Sequence, residues 1–196
     1  SGGSGYRVVS AVGWLWLAGG FDCRAASAVE WLWLAGGIIL GILLRLPGMH
    51  HALNHDEIYT VQAFASLPYS DIATSYDVPN NHIFHTFLVH ISYLGFGNHL
   101  WAIRLPALMA GLLLLPVAYL VIRALYNQRA AILAIGPLTT TSAMIEYSTN
   151  ARGYTLIGLF FFLLLGLGQF VITKDNLAAW LLFGLIASLG FYTIPV

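Results

Sequence analysis

Residues 28–60 read AVEWLWLAGGIILGILLRLPGMHHALNHDEIYT and combine a membrane-length apolar run with two adjacent carboxylates. The run over 28–46 has the length of about 20 residues that a spanning helix requires, and Pro47-Gly48 ends it. Asp56 and Glu57 follow shortly afterwards. Because an ionised carboxylate is costly to bury in hydrocarbon, the acidic pair marks either a water-facing loop or a functional site at the membrane surface.

Two charged residues, Glu30 and Arg45, lie near the ends of this apolar run. Long charged side chains at such positions can reach the lipid headgroups, and Trp31 and Trp33 are of a type that is common at membrane interfaces. We therefore predict that both charges lie at the membrane surface.

The composition is that of an integral membrane protein. Of the 196 residues, 59% are hydrophobic and 8% are charged, with a mean hydropathy of +0.78, whereas soluble domains carry about 25% charged residues. Eight Lys and Arg balance eight Asp and Glu, so no basic field favours nucleic acid as a partner. The single cysteine, Cys23, excludes an internal disulfide. All seven histidines fall between His50 and His99, which favours one aqueous site.

Residues 1–27 form a tail and a short apolar segment whose role is unclear. Residues 1–5 have linker composition, and residues 11–20 (AVGWLWLAGG) recur almost unchanged as 28–37 (AVEWLWLAGG). The first copy lies in an apolar segment, 8–21, that is too short to span a bilayer core of about 30 Å. We interpret it as interfacial, and a signal peptide is the alternative.

Residues 47–102 are predicted to form an external loop that contains helices in the plane of the membrane. Within 57–67, apolar residues recur at helical spacing until Pro68, which indicates a short amphipathic helix. Asn54 and Glu57 have the spacing of a capping box at its start.

A second helix in the plane of the membrane is predicted over 83–96. This apolar stretch is shorter than the roughly 20 residues of a spanning helix and contains His85 and His90. If it crossed the bilayer instead, the sidedness of everything after it would be reversed.

Four further apolar runs are predicted to span the bilayer, over 103–122, 130–147, 154–172 and 177–196. With 28–46 they predict an all-α polytopic membrane protein, a bundle of about five transmembrane helices. Arg123 and Arg129 flank one connection and Lys174 lies in another. The positive-inside rule places these connections in the cytoplasm, so the polar loop after the 130–147 run falls on the same side as Asp56. The last run ends without a polar tail, and we expect the chain to continue in a longer domain.

The acidic pair is the first candidate for chemistry. Neighbouring residues on a helix point about 100° apart, so one of Asp56 and Glu57 can face a substrate while the other supports it. The alternative is an acidic helix start in a solvated loop, where carboxylates are favoured by the helix dipole.

Two polar segments supply candidate binding residues. The turn over 77–82 contains Asn80, Asn81 and His82, which could bind a hydroxyl-rich ligand or a phosphate, or could serve as ordinary turn and capping residues. The loop over 146–154 contains Glu146, Arg152 and Tyr154.

Arg152 could bind a lipid phosphate, because a guanidinium pairs with phosphate oxygens. A structural ion pair between Glu146 and Arg152 is the alternative. Arg104 is a weaker phosphate candidate, and the alternative for it is a side chain that extends to the headgroups.

Metal binding has no support in the sequence. His50, His51 and His55 lie near the acidic pair, but their spacing fits no zinc motif. We predict no metal ligands. The sequence leaves any cofactor unknown, and a divalent metal stays open without a ligand motif to support it.

The order of these segments resembles glycosyltransferase family 39, the dolichyl-phosphate-mannose protein mannosyltransferase-like members of the GT-C superfamily. The resemblance covers about residues 28–196. It rests on a transmembrane helix followed in order by five short segments, Asp56-Glu57, Pro79-Asn80-Asn81-His82, Trp101-Ala102-Ile103-Arg104-Leu105-Pro106, Glu146-Tyr147-Ser148 and Ala151-Arg152-Gly153-Tyr154.

This resemblance implies an inverting enzyme that moves a sugar from a polyprenyl-phosphate donor to an acceptor on the extracytoplasmic side of the membrane, which in a prokaryote is the plasma membrane. It implies that Asp56 is the general base with Glu57 beside it, and that the loop with Glu146 and Arg152 approaches the donor. For the departing phosphate, Arg152 is the first candidate and His82 the second. Family members are longer than this chain, so the chain alone need not be active.

Two functions of other classes are the alternatives. A transporter could also use kinked helices and polar residues, although no charge in this sequence clearly marks the bilayer midplane. A non-catalytic subunit of a membrane assembly is the second alternative.

Overall fold

The computed structural model describes residues 28–74, 81–174 and 176–194, and these segments are helical with no β-strand among them. The helices, in chain order, are α1 (Ala28–Arg45), α2 (His55–Thr60), α3 (Tyr69–Thr74), α4 (Ile83–Phe96), α5 (Leu100–Leu125), α6 (Gln128–Thr140), α7 (Ser142–Ser148), α8 (Tyr154–Thr173) and α9 (Leu177–Thr193). A single 3-10 turn, Pro47–His50, follows α1, and a π-helical turn, Val61–Ala65, continues α2. The predicted all-α class is confirmed.

Among the described residues, three helices are long and apolar enough to cross a membrane. They are α1 with its following turn, over Ala28–His50, and the helices α5 and α8. The apolar helices α4 and α9 are shorter. Helix α4 coincides with the predicted segment 83–96.

The long helix α5 is the centre of the bundle. One side of it packs against α8, which in turn packs against α9, and the three helices share a buried cluster of Ala110, Leu114, Leu156, Leu159, Phe160 and Ile186. The other side packs against α1 and α6 through Leu34, Leu115, Tyr119, Ala131 and Ile135. Pro106 and Pro116 lie inside α5. Proline is tolerated in such a helix because neighbouring helices can satisfy the freed backbone groups.

The stretch 130–147, which we predicted as one helix, is divided into α6 and α7. Thr141 takes an extended conformation, with φ −62° and ψ 131°. Its backbone N–H and its hydroxyl both donate to the carbonyl of Pro137, at 3.0 and 2.6 Å. The chain therefore leaves α6 at Thr141 and starts a new helix at once.

The two charges of α1 are buried, in contrast to our prediction that they lie at the membrane surface. Glu30 accepts a hydrogen bond from the Tyr119 hydroxyl at 2.5 Å and lies 3.5 Å from the Arg123 guanidinium. Arg45 is only 1% exposed and turns inward toward α6 and α7. Both side chains find partners inside the bundle, which compensates for the loss of the aqueous interface.

Candidate active site

Residues 47–74, the first part of the predicted external loop, meet α4, α5 and the segment 149–153, which joins α7 to α8 and which we call the hinge. Beneath the contact, four apolar residues form a small buried cluster, Ala65, Val89, Ile103 and Ala151. One residue comes from each of these four parts of the chain. This cluster fixes the backbone that carries the polar residues above it.

Glu57 is fully buried and accepts four hydrogen bonds. Its Oε1 accepts from Arg104 Nε and from the Ala151 backbone N–H, both at 2.8 Å. Its Oε2 accepts from Arg104 Nη2 at 2.7 Å and from the Asn54 backbone N–H at 2.9 Å. The last contact is the glutamate part of the predicted capping box. Glu57 thus joins the loop, α5 and the hinge.

Arg104 is buried and uses its remaining N–H groups on the loop backbone. Nη1 donates to the carbonyls of Gly48 at 2.7 Å and His51 at 2.8 Å, and Nη2 also donates to that of Ala52 at 3.1 Å. A guanidinium has five N–H groups, and with Glu57 all five have acceptors. In this arrangement Arg104 does not extend to the headgroups and has no N–H group left for a phosphate.

These contacts keep Glu57 ionised. Burial raises the pKa of its carboxyl group. The hydrogen bonds from Arg104 and from the backbone of Asn54 and Ala151 lower the pKa, as does the charge of Arg104, and the net pKa lies below the usual value. Glu57 is therefore a poor acceptor for a proton from a substrate.

Asp56 and Arg152 form an ion pair at the surface of the same region. The Arg152 Nη2 lies 3.1 Å from Asp56 Oδ2, and the side chains are 16% and 52% exposed respectively. The two residues come from the external loop and the hinge, which places the acidic pair and the arginine loop side by side. Unlike Glu57, Asp56 is open to a ligand.

Tyr154 contacts the Arg152 guanidinium and is itself packed against two further rings. The Arg152 Nη1 donates to the Tyr154 hydroxyl at 3.2 Å, and the central carbon of the guanidinium lies 5.8 Å from the Tyr154 ring centroid. The Tyr154 ring contacts His82 edge to face at 5.4 Å and Tyr147 at 4.8 Å. The cation is therefore held against an aromatic wall, where cation–π attraction adds to the ion pair.

His82 is a neutral member of this wall. Burial lowers its pKa to about 4, the positive charge of Arg152 acts in the same direction, and Asp56 acts in the opposite one. Its Nδ1 accepts a long hydrogen bond, 3.4 Å, from the Gly153 backbone N–H. At neutral pH it can donate or accept a hydrogen bond but carries no charge to offer a phosphate.

Of the three other predicted binding residues, the structure describes Asn81 and Glu146. Asn81 is buried, where its side-chain amide donates to the Ile72 carbonyl at 3.1 Å and its Oδ1 accepts from the Thr86 hydroxyl at 3.1 Å. Glu146 is exposed, and within the described segments Arg152 is paired with Asp56 rather than with Glu146. Asn80 lies outside the described residues.

Two residues near the site were not identified from the sequence, Tyr147 and His85. His85 is fully buried, and neither of its ring nitrogens has a hydrogen-bond partner in the part of the chain that the structure describes. Its Cβ lies close to Gly153, at 3.5 Å from where a Cβ on that glycine would be. His85 follows His82 by three residues, and residues at this spacing are neighbours on one face of a helix. This spacing is the signal that could have identified His85.

No cluster suited to a metal is present in the described parts of the chain. His50, His51 and His55 are all exposed. Across 28–74, 81–174 and 176–194, no group of three or more His, Cys, Asp or Glu side chains is close enough to hold a metal ion.

A family model described as dolichyl-phosphate-mannose-protein mannosyltransferase matches residues 77–194. Neither the curated proteins nor the solved structures contain a match. The matched region is more than half of the chain and includes His82, Arg104, Arg152 and Tyr154, whereas Asp56 and Glu57 precede it. The chain is a membrane protein that belongs to the dolichyl-phosphate-mannose-protein mannosyltransferase family, a family of glycosyltransferases.

Proposed function

We propose that this protein transfers a sugar from a polyprenyl-phosphate donor to an acceptor hydroxyl on the extracytoplasmic side of the membrane, with inversion at the sugar carbon. The observation that carries the proposal is the contact between Asp56 and Arg152 at 3.1 Å. It places an exposed carboxylate and a partly exposed guanidinium at one site, next to helices suited to a membrane.

Asp56 is the proposed general base. An acceptor hydroxyl is a weak nucleophile, so a carboxylate within about 3 Å must take its proton as the new bond to the sugar carbon forms. The acceptor oxygen attacks that carbon from the face opposite the phosphate, the bond from the carbon to the phosphate oxygen breaks, and the phosphate leaves with the electron pair. The proton ends on Asp56, whose exposure allows it to pass to water.

Arg152 is the proposed ligand of the departing phosphate. A guanidinium forms paired hydrogen bonds with phosphate oxygens, and the charge that develops on the leaving group is stabilised by a fixed cation. The side chains of Arg104 and Arg45 are buried, whereas that of Arg152 is 16% exposed. This difference supports Arg152 over Arg104.

The two roles are coupled, because one guanidinium serves both groups. Arg152 forms an ion pair with Asp56. A bound phosphate competes for the same N–H groups and releases the Asp56 carboxylate to accept a proton. The base therefore becomes available when the donor is in place.

Transfer from polyprenyl-phosphate-mannose in membrane vesicles tests the proposal. Asp56→Asn should lower transfer by at least about a hundredfold, since general base catalysis contributes about 10² to 10⁴ in rate, and should leave membrane insertion unchanged. Asp71→Asn is the matched control, because Asp71 is an exposed aspartate of the same loop. Unchanged transfer by Asp56→Asn would exclude the proposed role.

The ligand role of Arg152 needs a binding measurement. Arg152→Lys should weaken binding of polyprenyl phosphate by about tenfold, since the paired geometry is lost while the charge remains. Arg129→Lys, at an exposed position, is the control. Equal affinities in the wild type and Arg152→Lys would assign the phosphate to another residue.

The side of the membrane is tested by labelling. Single cysteines at Ser70 and Thr149, in a Cys23→Ser background, should both react with an impermeant reagent added from outside the cell. Labelling from opposite sides would contradict the proposed topology.

A further inference from the structure

The guanidinium of Arg45, at the end of α1, lies against the break between α6 and α7. Its Nη1 donates to the carbonyls of Gly41 and Thr139, both at 3.1 Å, and its Nη2 donates to those of Leu138 at 3.2 Å and Met144 at 3.5 Å. Among the described residues, the Nε has no hydrogen-bond partner. Every acceptor is a backbone carbonyl, and in the described part of the chain no carboxylate forms an ion pair with Arg45.

A buried cation without a carboxylate needs another source of negative charge. Helix α6 supplies it, because the last carbonyls of a helix lack internal partners and carry the negative end of the helix dipole. The Leu138 and Thr139 carbonyls belong to the last turn of α6, which ends at Thr140. Arg45 therefore replaces the hydrogen bonds that α6 loses when the chain leaves it at Thr141.

The contact with Met144 extends this role to the next helix. Met144 belongs to α7, so one guanidinium bridges α1, the end of α6 and the start of α7. The other end of α7 is also fixed, since the Ser148 side chain packs directly against Gly111 of α5. The hinge with Ala151 and Arg152 follows within a few residues.

We propose that Arg45 is a positioning residue that fixes the break between α6 and α7 and thereby sets the position of Arg152 beside Asp56. Its effect on the reaction rests on the proposed function, whereas its effect on the position of α7 does not. Arg45 acts through the backbone, and it touches neither of the groups proposed to act on the substrate.

A distance measurement tests the structural part. Spin labels are placed at two exposed positions, Gln62 in the external loop and Glu146 in α7, in a Cys23→Ser background of the full-length protein. Arg45→Met removes the charge and the hydrogen-bond donors while keeping a side chain of similar length. It should broaden or shift the distance distribution. Arg129→Met, an exposed arginine outside the site, should leave the distribution unchanged. A distribution for Arg45→Met identical to that of the parent would overturn the proposal.

Kinetics separate positioning from a general loss of folded protein. For a given amount of folded Arg45→Met without spin labels, kcat should fall about tenfold and KM for polyprenyl-phosphate-mannose should rise, because small displacements of reacting groups cost large factors in rate. KM for the acceptor should not change. Loss of folded protein alone would lower total activity with kcat and both KM values per folded molecule unchanged, and that result would also overturn the proposal.

A milder variant covers the case in which Arg45→Met does not fold. Arg45→Lys keeps the charge but replaces the planar fork with one ammonium, and it should give an intermediate distance distribution and an intermediate kcat. Parental values in both measurements would overturn the proposal. If the parent protein transfers no sugar, the proposed function fails, and the distance measurement still decides the role of Arg45.

Discussion

Arg104 holds Glu57 by two parallel hydrogen bonds, Nε to Oε1 at 2.8 Å and Nη2 to Oε2 at 2.7 Å. Neighbours on a helix point about 100° apart, so the inward direction of Glu57 turns Asp56 outward. The adjacent acids therefore differ in environment: Glu57 is fully buried and Asp56 is half exposed. This buried pair orients the carboxylate that is proposed to take the proton.

Removing the charge of Glu57 should destabilise the fold strongly. Glu57→Gln leaves the Arg104 guanidinium buried without its counter-ion, and breaking a buried pair costs about 3–5 kcal/mol. The free energy of unfolding, measured by denaturation in detergent micelles, should fall by that amount. Glu146→Gln, at an exposed site, should change it by less than about 0.5 kcal/mol. Equal losses in the two variants would mean that the pair does not stabilise the loop.

Replacing Arg104 by lysine should destabilise the protein even though the charge remains. Arg104 makes five hydrogen bonds, two to Glu57 and three to loop carbonyls. A lysine ammonium has three donors and no planar fork, so at least two acceptors lose their partner, at about 1–3 kcal/mol each. Amide hydrogen exchange in the loop around His51 should accelerate. Wild-type exchange rates in Arg104→Lys would show that the charge alone holds the loop.

The protonation of His82 should make stability depend on pH between about 6.5 and 4. Its pKa is lowered from 6.5 to about 4 in the folded protein. The unfolded state therefore binds the proton first as the pH falls, so this contribution is complete above pH 6.5 and decreases toward pH 4. A shift of this size corresponds to a loss on the order of 3 kcal/mol.

The measurement is the free energy of unfolding of the wild type and of His82→Gln at several pH values. The difference between them should change between pH 6.5 and 4 in favour of the variant. His85 is present in both proteins and contributes to the difference only through its charge interaction with His82. His50→Gln, at an exposed position, should follow the wild type. A difference that is constant with pH would show that His82 titrates normally in the folded state.

Local features of the sequence predicted the helices well. The helix over 83–96 has the predicted bounds, and Glu57 bonds to the Asn54 N–H as expected for a capping box. Both features depend on residues that are close in the chain. The helix follows from an apolar run bounded by polar residues, and the capping box follows from the spacing of three residues between Asn54 and Glu57. The meeting of the loop with the hinge was expected from the sidedness that the positive-inside rule predicts for the spans.

Tertiary partners were not predictable in the same way. The break at Thr141 lies in the polar stretch Thr139-Thr140-Thr141-Ser142, without a glycine or proline at the break itself, and the carbonyls it frees are satisfied by Arg45 from α1. Arg45 and Arg104 both had the sequence context of side chains that reach the headgroups. Their burial depends on backbone carbonyls of distant segments. Because every residue carries a carbonyl, the sequence does not indicate which ones serve as acceptors.

The contact of α5 with α7 depends on the absence of a side chain at Gly111. A Cβ there would overlap the Ser148 side chain, whose own Cβ would lie at 2.8 Å. Gly111→Ala should therefore destabilise the protein by about 1–3 kcal/mol, as overpacking of a core does. Gly184→Ala is the control within a helix, because a Cβ there would meet nothing within 4 Å. It should be neutral or stabilising by up to about 1 kcal/mol.

Ser148→Gly tests whether the overlap is the cause. Removing the Ser148 side chain vacates the position that the new methyl group of Gly111→Ala would occupy, so the double variant should be less destabilised than the sum of the single variants. Thermal unfolding of the four proteins of this cycle gives the interaction free energy. Additive losses would mean that α7 does not pack on Gly111, and the position of the hinge would then depend on Arg45 and Glu57 alone.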